Sequence, residues 1–189
     1  DKVTAEGFVE GQGAAYEVTG SQTNVGTSDN TFTYTLNEGT NPDNYDITKT
    51  EGKLTVTANE TEVVVKITGR KDTQTYDGNL HTVTGYEVTI PEGSAYTEND
   101  ITFSGNAEVK GTDAKTYPMG LTADQFKNKN GNFTNVTFKV VEDGQLVINK
   151  RPVTLTSASD SKVYDGKALT NDKVTAEGFV EGQGAAYEV

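Results

Sequence analysis

Residues 1–18, DKVTAEGFVEGQGAAYEV, recur without a single change as residues 172–189. An exact recurrence restricts the fold first, because the repeated stretch must occupy an equivalent place in each copy of a larger unit. Asp1 reappears as Asp172, a period of 171 residues. Solenoid and propeller repeats run to roughly 20–50 residues, so a period of this size holds one large domain or two ordinary ones, each with its own core. The chain is expected to begin and end at the same phase of a longer array.

A weaker echo favours two domains. Tyr76-Asp77-Gly78 follows the apolar run VVVKIT from Val63, and Tyr164-Asp165-Gly166 follows PVTLT from Pro152. The stretch from Asn44-Tyr45 to GKLTVT at 52–57 likewise matches the stretch from Asn132-Phe133 to GQLVIN at 144–149. Unit B is therefore expected whole over residues 61–150. Unit A is expected in two pieces, a back half at 1–60 and the front half of the next copy at 151–189, with 172–189 identical to 1–18. In both units the tyrosine, Tyr76 or Tyr164, is expected to anchor a strand end in the core, while Asp-Gly forms a tight turn that needs a positive φ.

Composition points to strands. About thirty residues are Thr, whose branched Cβ suits a pleated, half-exposed surface. Hydrophobic residues make up 33% and the mean hydropathy is -0.60, enough for small sandwiches that bury one face of each strand. The net charge of -12 excludes a nucleic-acid footprint, which requires a basic surface, and it disfavours anionic membrane surfaces. No apolar run approaches the length of a membrane span, so no membrane insertion is expected in this segment.

Apolar residues alternate with polar ones almost throughout. Phe32, Tyr34 and Leu36 share one face of a predicted strand, and Val63, Val65 and Ile67 share another. The same device recurs at Leu54 and Val56, at Tyr86, Val88 and Ile90, and at Val136, Phe138 and Val140. It recurs again at Leu146 and Ile148 and at Val153 and Leu155. Turn signals separate these runs, among them Asp77-Gly78, Pro91-Glu92-Gly93, Asn130-Gly131, Asp143-Gly144 and Asp165-Gly166. The fold class expected is all-β, with small β-sandwich (Ig-like) or β-grasp-like modules arranged end to end and at most one short helical turn. That turn is expected after Thr122, dropping Phe126 onto the core. Four residues, Asn149 to Pro152, join the last strand of B to the first of A, and the stiffness of Pro152 predicts a rigid junction.

The residues for chemistry are sparse. There is no Cys, and the one His, His81, is expected to be exposed without a partner, so neither a transition-metal set nor a Ser-His-Asp arrangement can form. The acidic loop at 41–46 offers oxygens, but its spacing does not match a calcium loop. The glycines at 7–13 lack the Lys-Ser/Thr and helix of a phosphate loop. Carboxylates are plentiful without a cleft to gather them, and no Trp is present to stack a sugar. No enzyme activity, no cofactor and no metal is expected.

The stretch Arg151-Pro-Val-Thr-Leu-Thr156, the Lys162-Val-Tyr-Asp-Gly166 motif, Asn44-Tyr-Asp-Ile47 and Gly52-Lys-Leu-Thr-Val56 resemble the MBG and YDG repeats of bacterial surface proteins. The resemblance extends over essentially the whole chain. In one respect unit B departs from it: Thr73-Gln74-Thr75 stands where a basic residue often precedes Tyr-Asp-Gly. The resemblance implies wall-anchored or secreted adhesin-like proteins, many of them Gram-positive, and so an extracellular location at the bacterial cell surface. It implies a structural stalk that projects a distal binding region, or alternatively an adhesive module that binds host mucin glycans or protein weakly, with avidity from repetition. Some stalk domains also carry a Lys–Asn cross-link promoted by a buried acid, which composition here permits.

Candidates for surface contact are the loop aromatics Tyr16, Tyr96 and Tyr187, the first and last being one position in two copies. The partners expected are neighbouring repeats of the same chain and host mucin or glycan, with no nucleic acid. Because the halves of A lie at opposite ends, head-to-tail association is also expected, with residues 151–171 of one molecule completing the back half of A in the next. One of the two identical eighteen-residue copies would then be displaced.

Overall fold

The structure, a computed structural model, describes residues 3–186, and it is all-β. Sixteen strands form among the described residues, with helical backbone confined to 3-10 turns at Pro42–Asn44, Glu98–Asp100 and Ala123–Gln125. Three turns replace the single one expected. Each is a local capping event that needs no apolar periodicity: the Asn41 side chain accepts from the Asp43 N–H at 3.1 Å, and the Asp100 carboxylate accepts from the Thr97 N–H at 2.8 Å. At the expected site the Thr122 N–H donates to Gln125 Oε1 at 2.9 Å, and Phe126 directly after the turn is buried.

The chain forms two compact bodies, one of residues up to 62 together with 128–136, the other of residues 63–127 and those from 137 onward. In the first body β1 (Ala14–Val18) pairs antiparallel with β3 (Phe32–Leu36), bringing Tyr16 opposite Tyr34. Period two puts Tyr16, Phe32, Tyr34 and Leu36 on one face, and that face is only half covered. A second pair joins β2 (Gly26–Asn30) to β4 (Gly52–Val56). The loop 128–136, which the repeat pattern assigns to unit B, folds with this body. Asn59 bridges to Phe133, whose ring is buried, and Asn132 Oδ1 accepts from the Val25 N–H at 2.7 Å.

The second body carries the principal core. The strand β5 (Val63–Gly69) lies between β8 (Tyr86–Thr89) and β13 (Val136–Glu142). Its alternate residues Val63, Val65 and Ile67 are buried, and removing each side chain from water contributes about 1.5–3 kcal/mol. The chain then bends at Gly69-Arg70 and continues as β6 (Lys71–Thr75) in a different sheet, parallel to β14 (Gln145–Asn149), with β11 (Thr116–Pro118) on the other side of β14. Two smaller pairs complete this part: β7 (His81–Thr84) with β10 (Glu108–Gly111), and β9 (Ile101–Phe103) with β12 (Phe126–Asn128).

Asp143-Gly144, expected as a turn between two strands, also carries the chain from one sheet to another. β13 and β14 are consecutive but belong to different sheets, so these residues form a bend that transfers the chain from one sheet to the other. The Asp143 carboxylate fixes the bend by accepting from the Gly120 and Leu121 N–H groups, each at 2.9 Å. Between the sheets Phe103, Phe126 and Tyr86 pack with ring centroids 4.9–5.0 Å apart, and Phe126 stacks on Phe138 at 6.2 Å.

The strands β15 (Thr154–Ser157) and β16 (Val174–Glu177) form an antiparallel hairpin whose side chains stay almost wholly in solvent. Val153 and Leu155, expected on a buried face, are exposed, Leu155 at 52%. The pattern of a half-buried strand is present there without a sheet laid over it.

Candidate functional site

The Tyr-Asp-Gly turn of residues 76–78 is built by its aspartate. Gly78 supplies the positive φ of +82°, and Asp77 accepts from the Asn79 backbone N–H at 2.9 Å and from the Asn79 side-chain amide at 3.0 Å. His81 Nε2 donates to the same carboxylate at 2.9 Å. These bonds, those from Asn79 foremost and that from His81 after them, hold the Asp77 carboxyl at about 2, below its usual 3.8. His81, expected alone and exposed, is therefore part-buried and paired. The clue was its spacing of four residues from an Asx turn, which returns the chain over the carboxylate.

Tyr76 closes the end of the parallel pair, its N–H donating to the Asn149 carbonyl at 2.9 Å. Its ring is half-buried, and its hydroxyl accepts from Gln183 Nε2 at 2.6 Å. A Cβ on Gly78 would stand 3.2 Å from Val180 Cγ1. A cavity of about 270 Å3 remains between these groups, lined by Tyr76, Lys150, Arg151, Val153, Phe179 and Gln183. The second identical segment is thus docked on the Tyr-Asp-Gly turn of residues 76–78. Gln183 was not singled out from the sequence; its membership of the repeated eighteen residues was the available signal.

The second Tyr-Asp-Gly keeps the turn and loses the anchor. Gly166 has φ +77°, and Asp165 accepts from the Lys167 N–H at 3.0 Å. Lys162 Nζ lies 2.8 Å from the same carboxylate, and this contact, ahead of the Lys167 N–H, lowers its pKa. The side-chain donor that His81 provides from downstream in one copy is Lys162, from upstream, in the other. Tyr164, expected in a core, is 93% exposed. The turn depends on bonds within three residues, whereas a core position depends on strands packed above it, and among the described residues none covers residues 160–168.

Of the aromatics proposed for surface contact, Tyr96 is corrected: it is 2% exposed, with its hydroxyl donating to the Asp100 carbonyl at 3.2 Å. Burial, with the charge of Asp100 added, raises its pKa. It is a core residue because the 3-10 turn at Glu98–Asp100 folds the chain back over it. Tyr187 lies outside the described residues. Tyr16 is exposed and lines a groove of about 250 Å3 with Val3, Phe8, Phe32, Tyr34 and Ile47.

The loop at 41–46 is a capped 3-10 turn, tied down by Tyr45, whose ring packs on Phe8 at 5.0 Å and whose hydroxyl bonds to Gln12. Among the described residues no three His, Asp or Glu side chains gather as a metal set. Thr40 is the buried polar residue there, so the described carboxylates offer no buried acid for a Lys–Asn cross-link. The glycines at 7–13 form a tight turn in which the Gln12 N–H donates to the Val9 carbonyl at 3.0 Å.

Searches of curated proteins and of solved structures return no match to the chain. A comparison with protein families matches residues 63–150 to the MBG domain, from the first buried valine of β5 to the residue after β14. Residues 63–150 of this chain accordingly belong to the MBG domain family.

Proposed function

We propose that the chain is a non-catalytic spacer of a bacterial surface protein, an extracellular stalk of β-sandwich modules set end to end, wall-anchored or secreted, that projects a distal binding region. MBG domains are repeat domains of surface proteins, which gives the reading its starting point. The observation that carries it is the docking of residues 178–183 on the Tyr-Asp-Gly turn of the MBG domain, through Gln183 on Tyr76 and Val180 against Gly78. The docked segment belongs to the repeated eighteen residues. The hydrogen bond and the apolar contact hold this segment against the body that carries the MBG domain, and a restrained segment is what a spacer requires.

The test applies the chain, and a longer array with several periods, to immobilised mucin and a glycan panel. Absence of binding in both formats, with a scattering profile whose long dimension grows in proportion to repeat number, is the expected result. Binding that strengthens with repeat number would overturn the spacer reading and make the modules themselves the adhesive surface.

A further inference from the structure

The strands by which the chain enters and leaves the MBG domain are tied to each other. The chain enters at Val63, runs through β5, bends at Gly69-Arg70 into β6, and leaves at Lys150 directly after β14. β6 and β14 pair in parallel, with Lys71 opposite Gln145 and Thr75 opposite Asn149. The Gln145 N–H donates to the Arg70 carbonyl at 3.1 Å at one end of this ladder, and the Tyr76 N–H donates to the Asn149 carbonyl at 2.9 Å at the other.

The direction of the pairing sets what tension does to it. Because the two strands run the same way, the entry side of β6 and the exit side of β14 lie at opposite ends of one ladder. A pull through the backbone from residue 63 to residue 150 therefore slides β6 along β14 and loads the bonds from Arg70 to Tyr76 together. In an antiparallel pair the same pull would start at one end and open the bonds in turn.

We propose that the parallel β6–β14 ladder carries the mechanical load of the MBG domain, as a shear clamp that keeps it folded under tension along the chain. Forced unfolding is governed by the barrier to opening rather than by equilibrium stability, and bonds loaded side by side must yield together. β14 is a firm anchor: Leu146 and Ile148 are buried at 0% and 2% exposure, and the Ile148 N–H donates to the Lys115 carbonyl at 2.9 Å on the side away from β6. β6, KDTQT, has no apolar residue, and β14 is its only partner in the sheet, so backbone bonds hold it in place. A use for such a clamp rests on the spacer reading, in which each unit passes tension to the next.

The chain has no Cys, so handles for single-molecule pulling can be placed on engineered pairs in the full chain. Glu62→Cys with Lys150→Cys pulls along the ladder, whereas Leu80→Cys with Lys150→Cys pulls its Tyr76–Asn149 end apart; all three positions are exposed. At one loading rate the first pair is expected to need about twofold the rupture force of the second, or more. Equal forces, or a larger force for the second pair, would overturn the proposal.

A pair of substitutions locates the load. The end bonds fix the phase of the ladder, so Gln74 turns its N–H toward β14, and Thr73 turns its own away, where it donates to the Asp72 carboxylate at 2.8 Å. With handles at 62 and 150, Gln74→Pro is expected to lower the rupture force toward that of the opening geometry, and Thr73→Pro to leave it near the parent's. No loss from Gln74→Pro, or equal losses from two variants that circular dichroism shows folded, would place the load elsewhere and sink the clamp. If Gln74→Pro does not fold, the two handle geometries decide the matter by themselves. Rupture force is read without a ligand, so an array that binds mucin while keeping the contrast between geometries would overturn the spacer reading and leave the clamp standing.

Discussion

Gly69 and Gly144 meet backbone to backbone where the two long strands of the MBG domain change sheets. A Cβ built on Gly69 would stand 2.0 Å from the Gly144 nitrogen, and one on Gly144 would stand 2.9 Å from the Arg70 carbonyl oxygen and 2.7 Å from the Met119 methyl. The Gln145 N–H donates to that Arg70 carbonyl at 3.1 Å, and the Met119 N–H donates to the Gly144 carbonyl at 2.7 Å, so the crossing is stitched on both sides. Side chains would hold the strands apart, and the parallel β6–β14 pair could not form.

Gly69→Ala is therefore expected to cost more than the ~1–3 kcal/mol of ordinary overpacking, because the obstacle is backbone and cannot swing aside. Gly131→Ala, which meets nothing within 4 Å and lies outside the positive-φ set, is expected to stay within ~0.5 kcal/mol of the parent. Urea denaturation of the two variants measures the contrast, and equal midpoints would refute the role given to the crossing.

Ile67 and Leu155 are both apolar strand residues in sequence, but Ile67 is 0% exposed and Leu155 is 52% exposed. Ile67→Ala is expected to destabilise by ~2–5 kcal/mol, and Leu155→Ala by less than ~0.5 kcal/mol when measured at concentrations where the chain is monomeric. A large loss at Leu155 in dilute solution would show that the hairpin is covered within one molecule.

The Asp77 carboxyl sits at about 2 in the folded chain against 3.8 when unperturbed. A depressed folded pKa contributes stability that is fully present above the unperturbed value and is lost as pH falls from there through about 2. The thermal midpoint of the parent minus that of Asp77→Asn is expected to be constant above about pH 5 and to shrink toward pH 2. A difference that stays constant down to pH 2 would mean that the bonds to Asn79 and His81 do not favour the charged form.

Removing the Tyr76 hydroxyl takes away the acceptor that Gln183 uses. Tyr76→Phe is expected to speed amide exchange at Gln183, whose N–H otherwise donates to the Val180 carbonyl at 2.9 Å, with a local cost of ~0.5–1.5 kcal/mol. Exchange in β5 and β14 should not change. Unaltered exchange at Gln183 would show that the joint is held by packing against Gly78 alone.

Much of the strand inventory could be read from alternation, since β3, β4, β5, β8, β13 and β14 each carry apolar residues two apart. The strands β2, GTSDN, and β6, KDTQT, carry no apolar residue and gave no such signal. They pair through backbone groups, which every sequence possesses, and their side chains remain largely in solvent. The Tyr-Asp-Gly turns were legible for a related reason: Gly supplies the backbone freedom and Asp closes the turn on its near neighbours. Which tyrosine would be anchored was not, and Tyr76 and Tyr164 differ entirely in exposure although their motifs are the same.

The identical eighteen-residue segments separate the two kinds of information within one molecule. Gly11 and Gly182 have φ of +81° and +79°, and both copies close the same turn, Gln12 to Val9 at 3.0 Å and Gln183 to Val180 at 2.9 Å. Those bonds span three residues, so the local sequence suffices to make them wherever the segment lies. Val174–Glu177 is a strand and residues 3–6 are not, because a β-ladder needs a second backbone alongside and only the later copy has Thr154–Ser157 there. Gln12 bonds to Tyr45 and Gln183 to Tyr76 for the same reason: each turn arrives with its shape already set by sequence, and the tertiary structure decides which tyrosine it meets.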